Sequence, residues 1–258
     1  MRVAVLNDIH GNLDALDAVL ADVADARAHR IIVGGDVFPG PLPSQTLTRL
    51  TSLDIPVQFI YGNGEIAVLD VLAGREPVQV PQPYRAAIRW TAEQLLPEQQ
   101  HLLAGWPKTL RIDIPGIGPT LFCHGTPRDE NEIFTERTAE NLLLPLFEPL
   151  GVALVVCGHT HMPFDRTVGT TRVVNAGSVG MPFGQTGADW LLIDSAVEFR
   201  HTSYDLTKAA ETIRASGYPG ADEFADRYLL HPPSAEQILA AYAHAELKSG
   251  AAAEAPRR

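Results

Sequence analysis

Apolar and polar residues along the first 60 positions follow the spacing of alternating strands and helices. Short apolar runs at residues 3–6, 31–33 and 57–61 predict buried strands. Between them, residues 13–28 and 44–53 repeat apolar side chains at helical spacing. This β-α-β-α-β order predicts parallel strands with helices packed on the sheet.

The rhythm changes at residues 74–108, where glycine and prolines mark a loop. After this loop, residues 84–96 predict a helix, and Pro97 is suited to the first turn of another short helix. We interpret the block as a helical insertion that covers or flanks a site.

The second half of the chain alternates between short apolar runs and turns, which predicts a mixed or antiparallel arrangement. A helix is predicted over residues 136–144. The predicted strands are residues 109–114, 120–123, 152–157, 166–168, 172–174 and 190–193, of which the first two pair antiparallel.

The chain is predicted to divide into a main domain over residues 1–205, a helical extension over 206–248 and a disordered tail over 249–258. In the extension, residues 235–247 are amphipathic and Ser234 is suited to cap their N-terminus. We find no leader segment and no apolar run of about 20 residues, so we expect a cytoplasmic protein without a membrane partner.

The net charge restricts the classes of partner that we expect, and the positions of the two cysteines indicate their redox state. The net charge of −11 argues against sequence-independent binding of long nucleic acid, but a small phosphorylated or nucleotide-like substrate remains compatible with it. A homo-oligomer also remains open. Cys123 and Cys157 each end an apolar run, and we expect two reduced, buried thiols.

Polar residues beside glycine follow five of the predicted strands, at the carboxyl ends where sites form in open α/β sheets. Aspartate, asparagine and histidine supply oxygen and nitrogen donors, a set that suits Mn, Fe, Zn, Co or Ni better than Ca. Each cluster alone is a weak signal, whereas five together are improbable by chance. The clusters are Asp8-Ile9-His10-Gly11-Asn12, Gly34-Gly35-Asp36, Gly62-Asn63-Gly64-Glu65, Cys123-His124-Gly125 and Gly158-His159-Thr160-His161.

In their order and spacing these clusters resemble the motifs of the calcineurin-like metallophosphoesterase superfamily. The later run at residues 175–180 is similar to a glycine-serine loop of its compact bacterial phosphodiesterase and phosphatase branch. The resemblance covers roughly residues 1–200. It implies an α/β fold, a four-layer αββα sandwich of two mixed sheets flanked by helices.

The resemblance also implies two divalent transition-metal ions and a metal-bridging hydroxide as nucleophile. Asp36 would bridge the ions and, with Asn63 and His124, form the catalytic group. The implied ligands of the first ion are Asp8, His10 and His161, and those of the second are Asn63, His124 and His159. Such a pair of ions can clamp a phosphoryl group and activate water near neutral pH.

The sequence departs from the family at Gly64, where many members carry a histidine that assists the leaving group. We therefore expect cleavage of phosphodiesters, pyrophosphate-type bonds or activated monoesters rather than simple alkyl monoesters. Val37-Phe38-Pro39 replaces the Asp-Arg-Gly run of protein phosphatases, which weakens that assignment. The alternative is a catalytically idle metal-binding scaffold or regulatory module of the same fold; a nuclease is disfavoured by charge.

Some neighbouring residues have two interpretations. Arg128 and Arg166 are candidates for binding phosphate oxygens, although a solvated surface role is the more frequent one. Glu65 is suited either to orient Asn63 or to begin a helix. For the insertion's aromatic residues, core packing is favoured over nucleobase stacking; they are Tyr84, Trp90 and Trp106.

Overall fold

The structure, a computed structural model, describes residues 1–247. Within that range ten strands form two five-stranded mixed sheets. In chain order the strands are β1 (Val3–Leu6), β2 (Arg30–Val33), β3 (Val57–Phe59), β4 (Leu110–Ile114), β5 (Gly118–Phe122), β6 (Leu154–Cys157), β7 (Phe164–Val168), β8 (Thr171–Asn175), β9 (Ala188–Ile193) and β10 (Val197–Thr202).

The first sheet has the order β10-β9-β1-β2-β3 and the second β4-β5-β6-β8-β7. Strands β1, β2 and β3 are parallel, which confirms the arrangement predicted for the first 60 residues. Strands β4 and β5 form the predicted antiparallel pair, while β5, β6 and β8 run parallel. In each sheet, several parallel strands therefore end along the same edge.

The helices lie outside the two sheets. None of those within residues 1–247 is long and apolar enough to span a membrane. They are α1 (Leu13–Asp25), α2 (Pro43–Thr51), α3 (Asn63–Leu72), α4 (Arg85–Gln94), α5 (Pro97–Ala104), α6 (Glu140–Phe147), α7 (Leu206–Ala215), α8 (Ala221–Glu223), which continues as a π-helical turn (Phe224–Leu230), and α9 (Ala235–Tyr242).

Successive residues of β1 point to opposite faces of its sheet and so separate two cores. Ala4 and Leu6 pack in the cluster that includes α1 and α2, whereas Val3 and Val5 pack against the second sheet. Residues on the outer face of β5 and β6 form a third core with α6. The layers are thus helices, sheet, sheet and helices, which confirms the four-layer αββα fold.

Several predicted boundaries are wrong by a few residues. Helix α1 ends at Asp25 rather than at residue 28, because Arg27 adopts a positive φ of 53°. Helix α6 begins at Glu140, not at residue 136, because the preceding chain turns back on itself. The Thr138 hydroxyl accepts a hydrogen bond from the Thr135 amide at 2.8 Å.

Two elements were missed by the sequence analysis. Helix α3 begins inside the Gly62-Asn63-Gly64-Glu65 cluster; beginning a helix was one of the two roles open for Glu65, but no helix was predicted over residues 63–72. Its signal was Glu65 three residues after Gly62, since an acidic residue at that spacing caps a helix. Strand β10 was missed because four of its six residues are exposed and its apolar alternation is limited to Val197 and Phe199.

Residues 206–247 are largely helical, as predicted, and Leu247 is attached to the second sheet's side of the molecule. Ser234 caps α9 through a hydrogen bond from the Gln237 amide. The Leu247 amide donates to the carbonyl of Ile133 at 3.1 Å. The division into domain and extension stays a prediction, and the predicted tail, 249–258, lies outside the described residues.

The insertion is anchored by one aromatic stack. Trp106 follows α5 and lies 4.5 Å from the ring of Phe59 and 6.3 Å from that of Phe38, with its ring nearly parallel to both. Its side chain is almost fully buried. Because Phe38 lies two residues from Asp36, this stack joins the insertion to one of the polar clusters.

Replacing Trp106 by alanine is expected to lower the free energy of unfolding by roughly 3–5 kcal/mol, the usual cost of removing a buried large aromatic side chain. Urea denaturation followed by circular dichroism measures it. The control is Leu102→Ala on α5, where the side chain is 40% exposed and the expected change is below about 0.5 kcal/mol. Similar losses for both variants would contradict the anchoring role.

Candidate metal centre

The carboxyl ends of β1, β2, β5 and β6 and the start of α3 bring the seven side chains of the polar clusters together. Five of the seven residues are buried, and Asn63 and His159 are partly buried. The first subset contains Asp8, His10 and His161. His10 Nε2 lies 3.1 Å from His161 Nε2, and His161 Nε2 lies 3.3 Å from Asp8 Oδ1. Three ligand atoms from two separate segments, the loops after β1 and β6, thus face one point.

A second subset lies beside the first. His124 Nε2 lies 3.0 Å from Asn63 Oδ1 and 3.5 Å from Asp36 Oδ1. The ring of His159 is centred 5.0 Å from that of His124. Asp36 faces both subsets, because its Oδ2 lies 3.8 Å from His10 Nε2.

Asp8 also lies close to both subsets. Its Oδ1 is within 4.0 Å of Nε2 of His10 and 3.8 Å of Nε2 of His124. The groups whose donor atoms lie close enough to share an ion are Asp8, His10 and His161, and Asp8, Asp36 and His124. The resemblance assigned Asp8 to one ion alone, whereas this geometry puts it at the junction of two sites.

Backbone carbonyls fix the proton on three of the four rings. Nδ1 of His10 lies 3.1 Å from the Pro39 oxygen, Nδ1 of His124 lies 3.0 Å from that of Gly34, and Nδ1 of His161 lies 2.9 Å from that of Met181. A carbonyl only accepts, so each Nδ1 carries the hydrogen. In the neutral ring Nε2 then carries no hydrogen and can offer its lone pair to a metal ion, which is the arrangement of metal-bound histidines.

The Nε2 atoms that carry no hydrogen favour a positive charge beside them. Two lone pairs face each other at 3.1 Å between His10 and His161, beside a carboxylate. Asp8 Oδ1 is buried, and no side chain or amide in the described residues donates a hydrogen bond to it. Cations satisfy both features at once, so the side chains fit divalent metal ions.

Burial and neighbouring charge set the pKa values of these rings. Burial, reinforced by His161, lowers the pKa of His10; burial, reinforced by His124, lowers that of His159 to about 4. Burial opposes charge on His124 as well, but the carboxylates of Asp36 and Asp8 raise its pKa to about 10. A metal ion competes with that proton for the same carboxylates, so metal binding releases it.

The backbone at these positions is strained. Six non-glycine residues within the described chain have positive φ, and one of them is Arg27 after α1. The other five belong to the seven clustered side chains: Asp8, His10, Asp36, His159 and His161. Such conformations are costly for residues with a Cβ and concentrate at functional sites, where the surrounding fold enforces them.

Glu65 supplies much of that enforcement. Its buried carboxylate accepts hydrogen bonds from the amides of Asp36 at 2.8 Å, Phe38 at 3.0 Å and Gly62 at 2.7 Å. Burial and the charge of Asp36 raise its pKa to about 8, against the pull of these amides. Glu65 therefore both caps α3 and holds the loop of Asp36, and it makes no hydrogen bond to the Asn63 side chain.

Two asparagines tie the remaining loops behind the centre. Asn12 accepts from the Ala15 amide at the start of α1 and donates to the carbonyl of Gly180. Asn175 donates to the Gly158 carbonyl at 2.6 Å and accepts from the Gly177 amide. Both side chains therefore hold neighbouring loops to one another.

The two candidate arginines point elsewhere. Arg128 pairs with Glu132, with Nε 2.7 Å from Oε1. Arg166 Nη1 donates to three backbone carbonyls, those of Thr135, Glu136 and Thr138. Neither side chain lines the cavity that opens onto His10, Asp36 and Asn63.

Both thiols beside the centre are unpaired and buried, as expected from their positions in apolar runs. Burial raises the pKa of Cys123 to about 12. Among the insertion's aromatics, Trp106 packs in the core and Trp90 meets Tyr218 edge to face at 5.5 Å. Tyr84 instead lines the cavity, so the core packing favoured for it from the sequence is wrong, whereas a position beside the site agrees with the interpretation of the insertion.

Comparison with known proteins identifies the family of this site. The calcineurin-like phosphoesterase superfamily domain matches residues 1–196. An uncharacterized protein of Methanocaldococcus jannaschii is 28% identical over 238 residues, which cover 84% of this chain and 93% of the relative. Phosphodiesterase YfcE of Escherichia coli is 27% identical over 206 residues, covering 76% and 89%.

Solved structures share the fold. A metallophosphoesterase from Sphaerobacter thermophilus is 25% identical, with a TM-score of 0.69 and coverage of 88% of this chain and 98% of its own. A hypothetical protein of Pyrococcus horikoshii, 21% identical, has a TM-score of 0.76 with coverage of 90% and 99%. With the match over residues 1–196, the chain belongs to the calcineurin-like phosphoesterase superfamily.

Proposed function

We propose that this protein is a metal-dependent phosphohydrolase that cleaves a phosphodiester or an activated phosphoester. The observation that carries the proposal is the convergence of the Nε2 atoms of His10, His124 and His161 on the oxygens of Asp8 and Asp36. Five of these residues have strained backbone of the kind that concentrates at functional sites. The similarity to phosphodiesterase YfcE of Escherichia coli agrees with this assignment.

Each of the seven side chains has a place in the proposal. Asp8, His10 and His161 would hold one ion and Asn63, His124 and His159 the other, with Asp36 between them. The mixed oxygen and nitrogen set favours Mn, Fe, Zn, Co or Ni. When bound, two such ions supply Lewis-acid stabilisation of a phosphoryl group and a water nucleophile active near neutral pH.

The residues around the ions orient and enclose the reactants. Gly64 donates its amide hydrogen to Asp36 Oδ1 at 2.8 Å, which fixes the rotation of that carboxylate. His10, Asp36 and Asn63 are the members of the set that face the open cavity, so a phosphoryl group enters over them. No side chain is needed as a nucleophile.

Gly64 takes the place of the histidine found in many family members, and the surrounding fold closes that space. A Cβ on Gly64 would lie 2.0 Å from the carbonyl oxygen of Phe38, well inside contact distance. The protein therefore lacks a leaving-group acid here and has no room for one. This supports a preference for substrates whose leaving groups depart without protonation.

Substituting Asp36 by asparagine is expected to lower hydrolysis of bis-p-nitrophenyl phosphate with Mn by about 100-fold or more, because the shared carboxylate charge is lost. Rate and bound metal are measured on the same samples. The exposed Asp54→Asn is the control and keeps both values. Unchanged rate and metal content in Asp36→Asn contradict the proposal; a wild type that binds metal but cleaves no phosphoester supports the idle-scaffold alternative.

A panel of leaving groups tests the preference. With Mn present, p-nitrophenyl and bis-p-nitrophenyl phosphates are expected to react about 10²–10⁴-fold faster than an alkyl monoester, the range that general acid assistance contributes. Release of p-nitrophenol and of inorganic phosphate gives the rates. Equal rates on alkyl and aryl monoesters would refute the preference.

Restoring a histidine at position 64 is expected to damage the protein. Gly64→His and Gly64→Ala both place a Cβ against Phe38, so both lose roughly 1–3 kcal/mol of unfolding free energy. Gly105→Ala is the control, since its Cβ meets nothing closer than 3.4 Å. A Gly64→His variant of normal stability that cleaves alkyl monoesters faster would show that the space is open.

A further inference from the structure

A cavity of about 590 Å³ opens directly above the proposed metal ligands. His10, Asp36 and Asn63 form its floor. One wall comes from the insertion and includes Tyr84 and Ile88. The floor thus belongs to the motifs, whereas this wall does not.

The opposite wall comes from the helical segment after α7. Tyr218, Phe224 and Tyr228 line it, and all three lie beyond the residues that match the family domain. Phe224 is held in an apolar cluster with α7, so the wall has a packed support behind it.

These rings form a continuous series that reaches the metal centre. Tyr218 and Phe224 are centred 6.2 Å apart and Phe224 and Tyr228 6.1 Å apart, both in edge-to-face geometry. Phe183 lies 6.5 Å from Tyr228 and stacks on His161 at 5.0 Å. Within the cavity itself, a planar ring would meet the lining rings of Tyr84, Tyr218, Phe224 and Tyr228, whereas Phe183 and His161 lie behind its lining.

The walls carry no positive charge. Above the floor, Glu223 is the one charged side chain lining the cavity within residues 1–247. The nearby Arg227 binds Glu223 with Nη1 3.3 Å from Oε1 and lies over the Tyr228 ring at 5.6 Å. A second phosphate attached to the substrate would therefore find a carboxylate rather than a cation.

We propose, on the basis of the proposed function, that this cavity binds a planar aromatic substituent of a phosphodiester, such as a nucleoside, while one phosphoryl group lies over the floor. Tyr84, Tyr218 and Tyr228 supply ring faces for stacking and hydroxyls for a polar ring edge. Gln79 and Asn131, which also line the cavity, add amide groups. Substrates with consecutive phosphates are disfavoured by the acidic wall.

Three phosphonates with the same head group test the substituent separately from bond cleavage. Binding of methyl-, hexyl- and phenylphosphonate to the Mn-loaded protein is measured by calorimetry. Phenylphosphonate is expected to bind about 10- to 100-fold more tightly than methylphosphonate, from the apolar area of the ring that it buries. Hexylphosphonate is expected to bind less tightly than phenylphosphonate, since a flexible chain loses more entropy and does not stack.

Variants of the walls locate the effect. Tyr84→Ala and Tyr228→Ala are expected to weaken phenylphosphonate binding about 5- to 50-fold and to leave methylphosphonate binding unchanged, since stacking is worth ~1–3 kcal/mol per ring. Tyr84 is 49% exposed, so its removal spares the core, and Tyr84→Phe keeps the ring and most of the affinity. Phe199→Ala, an exposed aromatic outside this cavity, is the matched control and changes neither affinity.

The outcomes separate this inference from the proposed function. Equal affinity for phenyl- and methylphosphonate in a protein that hydrolyses bis-p-nitrophenyl phosphate overturns the aromatic subsite alone. Hexylphosphonate binding as tightly as phenylphosphonate also overturns it, in favour of a general apolar pocket. If the wild type binds no phosphonate and hydrolyses no phosphoester, the proposed function itself fails.

Discussion

The structure depends on the convergence of buried carboxylates and of imidazole Nε2 atoms in a volume a few ångströms across. Asp8 and Asp36 are buried beside His10, His124 and His161, and each of these rings has its hydrogen turned away toward a backbone carbonyl. In a medium that screens charge poorly, such a group is unfavourable unless cations hold it together. The histidine tautomers, as well as the identity of the residues, therefore favour metal binding at this site.

Holding this group requires strain that the rest of the fold must support. Positive φ at Asp8, His10, Asp36, His159 and His161 would relax if the loops were free. Glu65 prevents this for Asp36 through three amide hydrogen bonds, and the Phe38–Trp106 stack fixes the same loop from its other side. The cores on both faces of each sheet then anchor the strand ends from which the loops leave.

Sequence alone predicted those parts of the molecule in which local pattern and tertiary environment agree. Strands such as β1 are buried on both faces and appear as continuous apolar runs, and the seven clustered side chains follow strand ends. Strand β10 is exposed along most of its length, so its pattern carries little apolar signal. Arg128 and Arg166 were near the motifs in sequence, but long side chains follow available partners, here Glu132 and the carbonyls before α6. Proximity in sequence does not fix where such a side chain points.

The residues that form the cavity walls could not be identified from the sequence for a different reason. This reason bears on how the protein acquires its substrate specificity. Tyr84 belongs to the insertion, and Tyr218 and Tyr228 follow residue 196, where the match to the family domain ends. Neither segment is tied by a motif to the floor formed by His10, Asp36 and Asn63, and only the packing of α4 and the segment after α7 brings them together. The reactive floor is restricted by the geometry that metal ions demand, whereas the walls are restricted only by stable packing. Under the function proposed above, substrate choice would thus change through residues 79–88 and 218–228 while the seven side chains beneath them stay fixed.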